Sequence, residues 1–307
     1  MPDVTGVAWD EGRTFGMDPL FSEFEIFAHN GQKYTPVDHK MLLNYKESDS
    51  GQVLQEGISE AGAIASWISS ATSYSNANYA TMPFYTFYSM FGFQRVGDQI
   101  WSAADARARG FLMGATAGRT TLNGEGLQHQ DGHSLLMASA VPHCRAWDPA
   151  YAYELAAIIR HGIDEMWGQN LDVFHYVMLY NENQQQIPKP PDVDDGIVRG
   201  AYKLEEVGGG SNKIRLLGSG PILRNVREAA LELLNDHADP QSQILKPPFH
   251  SSERTSIAGR TGNERSSTPP ISLRYILIGS SLFSIVFPSS LLEFSFFLRT
   301  LKSDFFS

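Results

Sequence analysis

Apolar residues return every three or four positions in one stretch of the chain, and the stretches on either side of it have the composition of strands. The periodic stretch follows Asp148 and Pro149, which suit an N-cap and a first helical turn, and Gly168 can end it. Its apolar positions predict an amphipathic helix: Leu155, Ile158, Ile159, Ile163 and Met166. Residues 140–144 and 173–180 are predicted strands. Strand, helix and strand in succession predict a parallel sheet with crossover helices.

The same pattern continues on both sides of this unit. Residues 58–71 and 84–104 are predicted helices, and residues 111–113 are the predicted start of a buried strand. Further along, residues 213–217 predict a strand and residues 222–234 a helix. The whole pattern is typical of the α/β class, with a doubly wound parallel sheet flanked by helices.

The composition changes abruptly after residue 243. Residues 244–307 are rich in serine and more basic than acidic, and the apolar residues at their end follow neither a strand nor a helix period. We therefore predict a tail, residues 244–307, that is unrelated to the rest and unstructured. Residues 275–292 carry no charge and approach the length of a membrane span, so a membrane-associated segment is the alternative.

The charge balance and the cysteine content restrict the class of protein. The chain has 34 acidic and 24 basic residues and a net charge of −10, which argues against a nucleic-acid partner. Cys144 is its one cysteine, so an internal disulfide is excluded and a reducing compartment is favoured. The first residues do not combine a basic leader with an apolar run, so we expect no signal peptide and a cytoplasmic location.

The stretch LQEGISEAGA carries two carboxylates among small residues. Glu56 and Glu60 are four positions apart and share a helical face if the helix includes both. The small residues would let another group approach the backbone closely. The alternative is an ordinary helix start, where acidic side chains favour the positive end of the helix dipole.

An aromatic run, PFYTFYSMFGFQR, follows. Phe84, Phe87, Tyr88 and Phe91 lie at helical spacing, which is typical of a core-facing stripe. The same aromatic density suits stacking on a flat heteroaromatic ring.

The stretch GRTTLNGEGLQHQDGHS predicts a long irregular loop, because its glycines interrupt any regular pattern. His129, Asp131 and His133 resemble half of a metal site, but a zinc site needs three or four ligands. The other interpretation is a loop histidine that acts on an anionic substrate, as a hydrogen-bond or proton donor near neutral pH. The later string GSGPILR is a strand-to-helix turn, since it lacks the third glycine of a nucleotide-binding fingerprint.

Taken together, several strings resemble the decarboxylating component of the homodimeric, bacterial type of pyruvate dehydrogenase. They include DEGRTFGMDPLF, GQKYTPVDHK, DPAYAYELA and the three stretches above, and they run from about Asp10 to about Leu234. Members of that family are longer, with a first domain for the diphosphate and Mg²⁺ of thiamine diphosphate. The resemblance implies that residues 1–205 are the transketolase-like, pyrimidine-binding middle domain. Residues 206–243 would then be the first strand and helix of the last domain.

The resemblance also implies roles for individual residues. Glu60 matches the carboxylate that meets a ring nitrogen of the cofactor's aminopyrimidine and shares a proton with it. Phe91 matches the aromatic residue that packs on that ring, and Tyr88 a tyrosine of the same pocket. His129 matches an active-site loop histidine that binds the substrate carboxylate or hands on the lipoyl group.

A further pair, Asp10 and Glu11, matches acidic residues near the substrate channel. The implied activity is that of pyruvate dehydrogenase (acetyl-transferring): thiamine-diphosphate-dependent oxidative decarboxylation of pyruvate. The acetyl unit would pass to a lipoyl domain of the acetyltransferase component, in a homodimer whose Mg²⁺ ligands lie in a domain outside this sequence. The alternatives are a non-catalytic module that keeps only the dimer-facing surface, and another thiamine enzyme such as a transketolase.

Overall fold

The computed structural model describes residues 7–9, 18–37, 39, 45–118, 124–208, 212–236, 240–246, 274–278 and 281–285. Its centre is an eight-stranded sheet in the order β3-β2-β4-β1-β5-β6-β8-β7, and every pair of neighbouring strands is parallel. The strands are β1 (Val7–Trp9), β2 (Ile26–Phe27), β3 (Glu47–Ser48), β4 (Val53–Leu54), β5 (Phe84–Phe87), β6 (Phe111–Gly114), β7 (Cys144–Trp147) and β8 (Phe174–Met178). The predicted α/β class with a parallel sheet is confirmed.

The described helices lie mostly in the connections between these strands, as is usual for parallel pairing. They are α1 (Asp18–Phe24), α2 (Glu60–Ala71), α3 (Ser73–Asn76), α4 (Ser89–Asp105), α5 (Ser134–Ala140), α6 (Ala152–Ile163), α7 (Asp194–Val198) and α8 (Leu223–Asp236). A π-helical turn, Asp164–Gly168, extends α6, and a 3₁₀ turn, Gly220–Ile222, precedes α8.

Both faces of the central sheet are buried, each against its own core. Along β6, Leu112 belongs to one core and Phe111 to the other, and along β8 Tyr176 and Val177 divide in the same way. Successive side chains of a strand point to opposite faces, so the alternation shows that the sheet has helices on both sides. The first core also contains residues of α2, α4 and α5, and the second contains residues of α6 and α8.

A second, three-stranded sheet follows, in the order β10-β11-β9. It consists of β9 (Tyr202–Val207), β10 (Asn212–Leu217) and β11 (Pro240–Lys246). β10 and β11 are parallel, β9 and β11 are antiparallel, and α8 packs on them. A hairpin, β12 (Arg274–Ile278) and β13 (Ser281–Ile285), completes the described strands, and β13 lies beside β10.

Buried polar contacts join the two sheets. The carboxylate of Asp148, just after β7, accepts hydrogen bonds from the hydroxyls of Tyr180 and Ser219, the latter at 2.6 Å. Glu154 of α6 accepts one from the hydroxyl of Tyr202 on β9. Burying a carboxylate is costly unless donors surround it, so these contacts specify how the second sheet docks.

Two predicted elements are wrong at residues 84–104 and 140–144. The first is a strand, β5, followed by a helix, because residues 84–87 are inserted between β1 and β6 and the helix begins only after Tyr88. Helical spacing and strand pairing compete for the same aromatic residues, and the tertiary pairing wins. The predicted strand at residues 140–144 is also wrong. Ala140 is the last residue of α5, residues 141–143 form the bend after it, and the strand begins only at Cys144.

The predicted N-cap Asp148 is also wrong. Helix α6 begins at Ala152, where the carboxylate of Glu154 accepts from the backbone N–H of Ala150 and Tyr151 at 2.8 and 3.2 Å. Glu154 thus satisfies N–H groups at the helix start, which leaves Asp148 for the contact between the sheets.

The predicted start of the tail falls inside a strand. Ile244, Leu245 and Lys246 continue β11 and pair with β9, and residues 274–278 and 281–285 form the paired strands β12 and β13. The expectation that residues 244–307 are unstructured is therefore wrong for these residues, and the other tail residues lie outside the described ones. The division into domains at 205 and 243 stays a prediction, although β9 and β11 each cross one of those boundaries. Among the described residues, none of the helices has the length and apolar character of a membrane span.

A buried charged cluster lies between β7, β8 and the end of α6. The indole N–H of Trp147 donates to Nδ1 of His175 at 2.9 Å, so the ring is neutral and carries its proton on Nε2, 3.2 Å from Oε2 of Glu165. His161 and Arg145 approach the same carboxylate at 3.4 and 3.6 Å. Burial lowers the pKa of His175 more than Glu165 raises it. Burial alone would raise the pKa of Glu165, but its three cationic or hydrogen-bonding neighbours outweigh it and lower that pKa.

We expect this cluster to make stability depend on pH below about 6.5, the ordinary imidazole pKa. There the unfolded chain binds a proton at His175 that the folded chain does not, so the free energy of unfolding falls as the pH drops towards the lowered pKa. The slope from one such group is at most about 1.4 kcal/mol per pH unit. Thermal unfolding between pH 7 and 5 should show a flatter slope for His175→Gln and an unchanged slope for the exposed His39→Gln. Equal slopes in both variants would contradict this assignment.

Truncation tests where the folded part ends. A chain that ends at Gln243 loses the pairing of Ile244–Lys246 with β9, whereas a chain that ends at Lys246 keeps all of β11. Each backbone hydrogen bond stabilises by roughly 1 kcal/mol, so the shorter chain should melt several degrees lower. The chain ending at Lys246 keeps this pairing and should melt closer to the full chain. An equal loss in both variants would show that residues beyond 246 are structural.

Candidate functional site

Glu60 is a buried carboxylate at the start of a helix. It is the first residue of α2, whose N-cap Ser59 accepts a hydrogen bond from the backbone of Gly62 at 3.4 Å. The helix dipole favours a negative charge at this end. Only 11 % of the Glu60 side chain is exposed, and its Oε1 forms an ion pair with the guanidinium of Arg95 on α4.

Arg95 connects the carboxylate to the aromatic residues. Its side chain is half-exposed, and its Cζ lies 4.1 Å from the centre of the Phe91 ring, a cation–π geometry. One guanidinium therefore touches both Glu60 and Phe91. Sequence reasoning missed Arg95, although its position four residues after Phe91 on one helix was a usable indication.

Three rings meet beside Arg95. Tyr88, Phe91 and His129 contact one another with ring centres 6.0 Å apart for Tyr88–Phe91, 5.2 Å for Tyr88–His129 and 5.4 Å for Phe91–His129. The interplanar angles of 66°, 57° and 71° make every contact tilted or edge-to-face. All three residues are partly buried, so the group forms an aromatic wall that keeps some exposed surface.

The loop of His129 contributes a second residue that sequence reasoning missed. Oε2 of Glu125 lies 3.7 Å from Nδ1 of His129, four positions along the loop. Asp131 and His133 do not join these groups. Asp131 is buried, and the Nε2 atom of His133 lies 2.7 Å from the amide nitrogen of Gln94. Within the described part of the chain, no three His, Cys, Asp or Glu side chains are grouped as a metal site would require.

The spacing of Glu56 and Glu60 would put both on one helical face if a helix included both. The helix does not include Glu56. Gly57 has φ +68°, outside the helical region, and the helix begins only at Glu60. The Glu56 carboxylate instead lies against the side of α2 and accepts a hydrogen bond from the hydroxyl of Ser66.

The topology explains why these residues meet. Glu60 follows β4, Tyr88 follows β5, and His129 lies in the loop after β6. In the sheet, β1 lies between β4 and β5, and β6 follows β5. All four strands are parallel, so their carboxyl ends lie along one edge of the sheet, where sites are usually found in such folds. Asp10 and Glu11 come directly after β1 but lie outside the described residues, so their predicted place near the substrate is untested.

A carboxylate, a guanidinium, two aromatic rings and an imidazole thus line one edge of the sheet. Aromatic faces beside a carboxylate suit a flat heteroaromatic ring whose nitrogen can share a proton with that carboxylate. The imidazole suits contact with a second, anionic molecule on the same side.

Comparison with known proteins shows which family this chain is similar to. The family model described as the pyruvate dehydrogenase E1 component middle domain matches residues 2–187. The pyruvate dehydrogenase E1 component of Pseudomonas aeruginosa is 50 % identical over 258 residues, and that of Escherichia coli K12 is 53 % identical over 229 residues. These alignments cover 84 % and 74 % of this chain but only 29 % and 26 % of the relatives, so the chain spans less than a third of their length.

Solved structures of low identity share the fold. A transketolase from Campylobacter jejuni has a TM-score of 0.59 at 18 % identity and covers 83 % of this chain and 34 % of its own. A transketolase from Leishmania mexicana has a TM-score of 0.58 at 15 % identity, over 80 % of this chain and 31 % of its own. The family model covers more than half of this sequence, and the chain therefore belongs to the pyruvate dehydrogenase E1 component family, of which residues 2–187 represent the middle domain.

Proposed function

We propose that this chain supplies the aminopyrimidine-binding side of a thiamine-diphosphate site in a pyruvate dehydrogenase (acetyl-transferring). The observation that carries the proposal is the group formed by Glu60, Arg95, Phe91, Tyr88 and His129 at the carboxyl edge of the sheet. It offers a flat ring both an aromatic face and a shielded carboxylate, and it offers an anionic substrate an imidazole.

The residues fit the cofactor that the family implies. Glu60 would accept or donate the proton at a ring nitrogen of the aminopyrimidine, since its carboxylate is shielded from water. Phe91 and Tyr88 would pack against the ring and hold it in place. Thiamine diphosphate, when bound, supplies the electron sink that decarboxylation of a 2-keto acid requires.

His129 would serve the substrate side of the same site. Its ring is held by contacts with Tyr88 and Phe91, and it would donate a hydrogen bond to the carboxylate of pyruvate or to the departing lipoyl thioester. Asp10 and Glu11, directly after β1, would line the channel by which substrate arrives. The acetyl unit would pass to a lipoyl domain of the acetyltransferase component.

The rest of the site is expected outside this chain. Diphosphate and Mg²⁺ need charged and oxygen ligands of their own, which we expect in a preceding domain, as the family resemblance implies. In a homodimer that domain of one subunit would face the middle domain of the other. A cytoplasmic location and the absence of a nucleic-acid partner complete the proposal, in line with the acidic charge.

We predict that the purified chain alone binds thiamine diphosphate weakly and turns over no pyruvate, because the strongest polar contacts to the cofactor are missing. Addition of a diphosphate-binding domain of the family in trans, with Mg²⁺, should restore decarboxylation. In that system Glu60→Gln should lower the rate at least about 100-fold, the usual contribution of a positioned acid–base group. The matched control is Glu56→Gln, four positions earlier, which should keep its rate.

Release of CO₂ from carboxyl-labelled pyruvate measures each outcome. Rapid turnover by the chain alone would refute the proposal that it supplies only one side of the site. Full activity of Glu60→Gln in the restored system would refute the role of Glu60. If the folded chain releases no CO₂ with any added diphosphate-binding domain, the result would favour the non-catalytic module instead.

We also predict that Arg95 controls the cofactor affinity. Arg95→Ala removes the contact that joins Glu60 to Phe91, and we expect an apparent affinity for thiamine diphosphate about tenfold weaker, or about 1.4 kcal/mol. Arg95→Lys keeps the charge but loses the planar stacking, so its effect should be intermediate. The control is Arg107→Ala, since Arg107 forms an exposed ion pair with Asp172 at the opposite edge. Titration of activity against cofactor in the restored system tests this, and an unchanged affinity for Arg95→Ala would contradict it.

A further inference from the structure

A wholly buried carboxylate lies two residues after His129. Asp131 has no exposed surface, and its Oδ1 accepts hydrogen bonds from the backbone N–H of His133 and of Ser134, both at 2.9 Å. Its Oδ2 accepts one from the hydroxyl of Ser134. A buried charge is tolerated only with such a set of donors, so the backbone around Asp131 is held in one arrangement.

This arrangement is tied to the central sheet. The hydroxyl of Tyr176 on β8 donates to Oγ of Ser134 at 2.9 Å, and Tyr176 itself is buried. Burial, with the nearby Asp131, raises the pKa of Tyr176 well above its usual value, so the phenol stays protonated and continues to donate. The backbone N–H of Asp131 also donates to the carbonyl of Gly118 at 3.2 Å, just after β6. Asp131 therefore joins the His129 loop both to the sheet and to the point where the loop departs.

The described residues before His129 offer little alternative support. A Cβ at Gly124 or Gly126 would meet no atom within 4 Å, and the side chain of Leu127 is 83 % exposed. The Glu125–His129 contact lies within the loop and cannot place the loop on the body. On the other side, Gln94 of α4 approaches His133 at 2.7 Å, which adds a second contact next to Asp131.

We propose that Asp131 is a positioning residue for His129. Its buried carboxylate fixes the end of the loop through Ser134 and Tyr176, so that the imidazole of His129 rests against Tyr88 and Phe91. Asp131 touches neither ring and would act only through the backbone. The functional part of this inference rests on the proposed role of His129, but the positional part does not.

The position of the His129 ring can be measured on the full chain without cofactor. Edge-to-face neighbours displace the carbon-bound proton resonances of an imidazole by their ring currents, and His129→Gln identifies the resonances among those of the nine histidines. Asp131→Asn should move the His129 resonances towards the values of a free histidine. Ser134→Ala and Tyr176→Phe should move them part of the way. Asp164→Asn, an exposed acid beyond α6, is the matched control and should leave the His129 and His133 resonances unchanged.

The outcomes separate positioning from folding. A change confined to His129 and His133, with unchanged resonances for the other histidines, supports the proposal. An unchanged His129 in a folded Asp131→Asn overturns it. If Asp131→Asn does not fold, Ser134→Ala and Tyr176→Phe decide: displacement of His129 in either folded variant supports the proposal, and no displacement in both overturns it. A uniform change across all histidines counts against it, because it shows general loosening.

A second measurement connects the inference to the reaction. In the system restored with a diphosphate-binding domain, Asp131→Asn should lower kcat about tenfold and leave the apparent affinity for thiamine diphosphate unchanged, because the Glu60–Arg95–Phe91 group is untouched. An equal loss in both parameters would overturn the positioning role. If the resonances behave as expected but the unmodified chain never gains activity, the proposed function fails while the placement of the loop by Asp131 stands.

Discussion

Parallel pairing of β4, β1, β5 and β6 is the constraint on which the rest of the structure depends. Because all four strands run in the same direction, the segments that leave their carboxyl ends emerge at one edge of the sheet. A strand reversed at any of these positions would send Glu60, Tyr88 or His129 to the opposite edge. The cost of this arrangement is that each connection must cross back over the sheet, which is why helices cover both faces.

Buried carboxylates then determine the finer geometry. Glu60 faces a guanidinium at the site, Asp131 receives backbone and hydroxyl donors beneath the loop of His129, and Asp148 receives hydroxyls between the two sheets. In each case the charge is stable only while its donors stay in place, so the carboxylate makes one backbone arrangement much better than its competitors. Apolar packing alone tolerates small displacements and would not specify these positions as sharply.

Helix α4 connects the pieces of the candidate site. Along about one turn it presents Phe91 to the ring of His129, Gln94 to His133, and Arg95 to Glu60. Small residues allow α4 to approach the sheet closely, since a Cβ at Gly92 would overlap the ring of Phe87 on β5. The site is therefore built on the first part of α4, which ends at a kink at Val96 (φ −126°, ψ 22°), and one loop is added to it.

The sequence by itself determined the α/β class and most strands and helices, because periodicity depends on neighbours along the chain. The resemblance to a known family, and not the periodicity, singled out Glu60, Tyr88, Phe91 and His129 as candidate site residues. The sequence did not determine that residues 84–87 form a strand, since the same aromatic spacing suits a helix until strands pair on both sides. Nor did it determine the contacts of Arg95 and Asp131, for a related reason. Their partners Glu60 and Tyr176, the latter reached through Ser134, lie far away in sequence, and only the folded sheet decides which distant side chains meet.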